Sequence, residues 1–115
     1  MELGLTTFAE TINADGSGLG EKHGERLRQV VDEAVLAEES GLAVYAVGEH
    51  HRPDFAASSP AVVLAAIAGK TEKIRLSPAV TVLSSDDPVR VFQQFATLDQ
   101  VSSGRAELLV GRGSF

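Results

Sequence analysis

Cysteine is absent from this chain of 115 residues. Disulfides, thiolate metal centres and a cysteine nucleophile are therefore excluded, and a cytoplasmic setting is the natural expectation. Basic residues are scarce as well. Ten Lys and Arg against sixteen Asp and Glu leave a formal net charge of −6, which argues against general affinity for nucleic acid or for an anionic membrane. No block of like charge exceeds a few residues, so there is neither an acidic tail nor a basic arm. No apolar run approaches the roughly 20 residues that cross a bilayer. The start "MELGLTTFAE" also lacks the charged head and long apolar core of a secretory signal. These absences describe a soluble cytoplasmic protein with no nucleic-acid or membrane partner.

What is present is an alternation of two patterns. "ELGLTTF" reads as a first strand, and the Gly-, Asn- and Asp-rich "AETINADGSGLGEKHGE" as an unusually long loop. "ERLRQVVDEAVLAEESG" places Leu27, Val30, Val31, Ala34 and Val35 at helical spacing, with Gly41 at the C-cap. "LAVYAV" is apolar throughout, as a strand buried on both faces is. "SSPAVVLAAIAGK" offers Ser59 as N-cap and Pro60 at the first helical position. Its small apolar surface suggests burial against both its own sheet and a partner subunit. "KIRLSPAVTVLS" reads as a third strand in which Pro78 demotes part of the run to an edge or bulge. In "DDPVRVFQQFATLDQVSSG", Asp87 and Pro88 repeat the helix-start signal, and Val91, Phe92, Phe95 and Leu98 fit one face. "RAELLVGRGSF" is a fourth strand running into a glycine-flanked turn.

The order β-α-β-α-β-α-β, with crossovers of helical length, implies parallel strands. A flavodoxin-like sheet and half of a (β/α)₈ TIM barrel both satisfy it. A flavodoxin-like domain would need an acidic pocket at the ends of strands one and three, where Thr6, Thr7 and Ser84 stand instead. The last strand enters a βα loop with no following helix, and every strand end is polar: Thr6-Thr7, Glu49-His50-His51, Ser84-Ser85, Arg112 and Ser114. In a barrel those ends converge on the rim that carries the active site. Residues 1–115 thus read as the N-terminal part of a single barrel domain, since a whole barrel takes about 250 residues.

"EHH" after the second strand opens three readings. Adjacent residues of an extended segment point to opposite faces, and the third histidine, His23, lies in a loop, so a metal site lacks ligands. The histidines are either polar loop residues or groups that protonate or hydrogen-bond a cofactor near neutral pH, with Glu49 holding a tautomer. "VGRGSF" is likewise a glycine turn with Arg112 in a surface ion pair, or an anion-binding nest whose arginine fork suits a phosphate. It is not a P-loop, and no GxGxxG fingerprint occurs.

"ESGLAVYAVGEHH", "EKIRLSPAVTVL", "DDPVRVFQQFATLDQVSSGR" and "LLVGRG", in that order and spacing, resemble the luciferase-like flavin monooxygenases. The resemblance covers the chain from about residue 27 onward and implies a (β/α)₈ barrel. It implies reduced flavin, usually FMNH₂ from a separate flavin reductase, which with O₂ forms a flavin peroxide that oxygenates a small organic substrate. Some relatives use the deazaflavin F420. By motif, His50 matches a catalytic histidine with Glu49 and His51 in support. Arg112, with Gly113 and Ser114, matches the flavin-phosphate contact, and Ala79-Val80 matches a non-proline cis peptide beneath the flavin ring. A homodimer through the second and third helices is implied as well. Gly111 stands where luciferase has a reactive cysteine, and Leu83-Ser84 replaces a frequent Leu-Pro, so light emission from a long-chain aldehyde is not implied. The 115 residues alone are expected to be inactive. The competing expectation is a non-catalytic flavin-fold fragment that dimerises through its helices.

Overall fold

Strands and helices alternate along the chain in a computed structural model that describes residues 1–13, 15–18 and 22–113. The elements are β1 (Gly4–Thr7), α1 (His23–Glu39), β2 (Val44–Val47), α2 (Pro60–Ala68), β3 (Arg75–Pro78), β4 (Thr81–Val82), α3 (Pro88–Val101) and β5 (Val110–Gly111). β1, β2 and β3 form a parallel sheet in that order, and β4 pairs with β5, also in parallel. This is the expected β-α-β-α-β-α-β succession of a partial (β/α) barrel, with the third strand divided in two.

Strand alternation decides what each face meets. Tyr45, Val47 and Leu76 are fully buried beneath the helices, and the Tyr45 hydroxyl donates to Glu33 of α1 at 3.1 Å. The opposite face carries the small Ala46 and Ser77. At its base Arg75 bridges Glu2 (2.5 Å) and Glu107 (2.6 Å). Each helix turns one stripe inward: Val30, Ala34 and Ala37 of α1, Leu64, Ile67 and Ala68 of α2, and Val91, Phe95 and Leu98 of α3. Truncating a buried residue such as Ile67 to Ala costs about 2–5 kcal/mol in lost transfer energy and cavity formation.

Several expectations are corrected in detail. Phe92 does not share the inward stripe of α3; it is 69% exposed, about 100° around the helix from Val91. Ser59 occupies the N-cap position of α2 without a side-chain capping bond, whereas the Asp87 carboxylate accepts from Val89 N–H at 2.7 Å. His23 opens α1 rather than lying in a loop, and its Nε2 donates to the Pro53 carbonyl at 2.8 Å.

Pro78 is itself paired and buried, opposite Val47, so it is not a bulge on the β2 side. Its missing N–H acts on the other side. Leu76 N–H donates to Arg105 O and its carbonyl accepts from Glu107 N–H, and after these the next backbone bond to that last segment comes at Thr81 N–H, to Leu109 O. The ladder toward β5 therefore lapses around Pro78 and resumes as β4.

The base of the sheet is closed by two side chains. Glu38 of α1 accepts the N–H groups of Glu72, Lys73 and Ile74 at 2.7–2.9 Å through one oxygen. Arg105, only 9% exposed, donates to the carbonyls of Ala68, Thr71, Ile74 and Ser102 and to the Thr71 hydroxyl. These groups are the loose ends of α2, α3 and the turn into β3, and the carbonyls around Arg105 would otherwise be buried without these donors.

Candidate functional site

The C-terminal ends of the parallel strands open onto one cleft of about 390 Å³. β1 contributes Phe8; the segment after β2 contributes Glu49, His50, His51 and Arg52; the link between β3 and β4 contributes Ala79 and Val80. Val82, Ser85 and Gly113 complete the lining. Six of the eight residues expected at a site thus come together: Glu49, His50, His51, Ala79, Val80 and Gly113. The Arg112 side chain is exposed and outside this lining, while its carbonyl accepts from the Ser84 hydroxyl at 2.7 Å. Ser114, also expected there, lies outside the described residues.

The two histidines have different surroundings. The His50 ring stacks on Phe55, with centroids 4.4 Å apart and 20° between planes, and meets Phe8 edge-on at 4.6 Å. Its backbone N–H donates to Ala57 O at 3.0 Å, which pins the loop. Phe8 lies directly over Gly48, where any Cβ would overlap its ring and displace it. His51 instead meets Glu49, Nε2 to Oε2, at 2.7 Å, with its side chain 55% exposed.

Glu49 is the polar centre of the site and its side chain is only 6% exposed. Oε1 accepts from Val82 N–H at 3.1 Å, and Oε2 accepts from the Ser85 hydroxyl at 2.8 Å as well as from His51. Burial pushes this carboxyl up. The hydrogen bonds from His51, Val82 and Ser85, with the attraction of His51, outweigh it and hold Glu49 below the usual carboxylate range. The Ala79–Val80 peptide beside it is cis.

Phe8, Phe55 and Val82 carry no site assignment in sequence, and Ser85 enters there only as part of the polar end of the third strand. Phe8 carried a weak signal, being the residue after the polar Thr6-Thr7 end of β1. Ser85 stands 36 positions from the carboxylate it binds, and no local spacing announces that contact. Among the described residues, no three His, Asp or Glu side chains gather as a metal site would require. No helix among them is long and apolar enough to cross a membrane.

The family model for luciferase-like monooxygenase matches residues 1–115. The chain belongs to that family. This luciferase-like chain is 38% identical over 96 residues to the N-acetyl-S-alkylcysteine monooxygenase of Bacillus subtilis, covering 83% of the chain and 29% of that protein. It superposes on the oxygenating constituent of 3,6-diketocamphane monooxygenase from Pseudomonas putida, solved in complex with FMN, with TM-score 0.86 and 24% identity over 100% of the chain. An F420-dependent secondary alcohol dehydrogenase, in complex with an F420-acetone adduct, superposes with TM-score 0.74 and 25% identity over 97% of the chain. The chain spans less than a third of each of these proteins (29%, 30% and 32%).

The residues present suit the flat, phosphate-bearing cofactor such a family implies. The cleft has the volume of a small-molecule site and the mixed lining of one, with apolar Phe8, Ala79, Val80 and Val82 beside a few convergent polar groups. At Gly113, with φ at 72°, an added Cβ would stand 3.0 Å from Val82 Cγ1. Only glycine keeps the chain close to β4 there, which leaves backbone and not side chain at the cleft edge.

Proposed function

We propose that residues 1–115 are the N-terminal part of a single TIM-barrel domain of a flavin-dependent monooxygenase. It would act on a small organic substrate with O₂ and with reduced FMN from a separate flavin reductase. The observation that carries this reading is the cleft at the strand ends, where apolar surface and the Glu49-His51 pair face one space. When bound, the flavin supplies the electrons that activate O₂. Ala79, Val80 and Val82 would form the apolar bed for its ring, and Gly113, with Arg112 and Ser114, would hold the phosphate end. His50 and Phe8 would wall the ring side and exclude water, while His51 and Glu49 would present the hydrogen-bonding edge to cofactor or substrate.

The F420-dependent oxidoreductase reading has its own support in the structural match to the F420-dependent alcohol dehydrogenase. Self-association through α2 and α3 is supported by the large apolar groups they expose: Val62, Val89 and Phe92.

A chimaera tests the function directly. This segment replaces the matching segment of the Bacillus subtilis monooxygenase, and FMN and F420 are titrated in by fluorescence. Binding of FMN, weakened about tenfold by Arg112→Ala (about 1.4 kcal/mol), is the expected outcome. A folded chimaera that binds neither cofactor would sink the reading.

A further inference from the structure

The histidine run divides its labour. His50 is held by aromatic rings and belongs to the wall of the cleft. His51 is held by a carboxylate that Val82 N–H and the Thr81 and Ser85 hydroxyls also engage. We propose that Glu49 and Ser85 are positioning residues that fix His51 as the Nε2–H tautomer, leaving Nδ1 as the ring's acceptor at the cleft.

Hydrogen-bond chemistry carries this. An ionised carboxylate only accepts, so His51 Nε2 must donate across its 2.7 Å contact. Glu49 is buried and surrounded by donors, which keep it ionised. Its Oε1 is engaged by Val82 N–H, a backbone group that cannot exchange donor for acceptor. Its Oε2 is shared with the Ser85 hydroxyl, so the carboxylate cannot rotate away from His51 without losing both contacts. A neutral imidazole that donates through one nitrogen accepts through the other. His51 therefore suits a ligand that brings a hydroxyl or amide N–H to the cleft, and opposes one that brings only a carbonyl. That last step rests on the cleft being the ligand site; the tautomer does not.

The same logic makes a substitution invert the ring. In Glu49→Gln, Val82 N–H still requires an oxygen opposite it, so the amide oxygen takes the place of Oε1. The amide NH₂ then falls where Oε2 was, facing His51 Nε2 and Ser85 Oγ. The hydroxyl can turn to accept; the imidazole must move its proton to Nδ1.

Long-range ¹H–¹⁵N spectra of the full chain, labelled at histidine and recorded at rising pH until the ring signals stop moving, read this out. The expected wild-type spectrum shows a pyridine-type Nδ1 for His51, and Glu49→Gln moves the pyridine-type signal to Nε2. Ser85→Ala, which removes one donor and leaves the carboxylate, shifts the wild-type pattern toward a mixture of both forms. A wild-type His51 protonated at Nδ1, or a pattern unchanged in Glu49→Gln, would overturn the proposal. The wild-type spectrum alone decides the first point, whatever the variants do to folding. None of these spectra requires flavin, so their failure is separate from that of the chimaera.

Discussion

Two glutamates, Glu38 at the base of the sheet and Glu49 at its mouth, use the same device to opposite effect. Each is a carboxylate held below the ordinary range because hydrogen bonds to its charged form outweigh the opposing push of burial. Glu38 is met by three backbone N–H groups, with Arg105 adding favourable charge. Those donors cannot reverse, and the base has one possible arrangement. Glu49 is met by one backbone N–H and three side chains, the Thr81 and Ser85 hydroxyls and the His51 imidazole, that can each donate or accept. The mouth is anchored on one side and adjustable on the other. Irreversible donors build scaffold, and reversible ones build a site.

The largest effect that probes this contrast is at the base. Arg105→Met strands the carbonyls of Ala68, Thr71, Ile74 and Ser102 without their donors, and is expected to cost about 3–5 kcal/mol. A urea midpoint nearly unchanged would break the picture of the base as scaffold.

Next come the two glutamates. Glu38→Gln presents an amide NH₂ near donors that cannot turn, for a loss of about 1–2 kcal/mol, while Glu49→Gln meets partners that can, for about 0.5–1 kcal/mol. Equal losses in paired urea titrations would erase the distinction. Both wild-type carboxyls are lowered on folding, so their stabilisation is complete above the unfolded glutamate pKa and fades as pH falls through the folded one. Each Gln variant should therefore show a shallower loss of stability than wild type between about pH 5 and 3.

The smallest effect on folding is expected on the helices. Phe92→Glu leaves stability within about 0.5 kcal/mol because the ring is already exposed. Sedimentation should show it to be less self-associated than wild type; equal association would remove α3 from the interface.

The alternation of strands and helices was legible because it is written locally: unbroken apolar strands, and an Asp-Pro start for α3. Phe92 was misplaced because spacing of three and four marks a stripe but not its edge. The third strand was read as one because composition shows a proline but not which of its two neighbours loses a hydrogen bond; the ladder to β2 continues and that to β5 lapses. At the site, strand ends located Glu49, His50 and His51, yet their division of labour was hidden. It depends on Phe8, Phe55 and Ser85, which reach them through the fold.

Arg75 has a consequence for the chain's two outer strands. The backbones of β1 and β5 are not paired, yet one guanidinium, seated on β3, reaches Glu2 just before the first and Glu107 just before the last. It works as an ionic spacer that gauges the distance between them. Being partly open to water, the tie is screened by added salt, whereas the apolar packing beneath the helices is not.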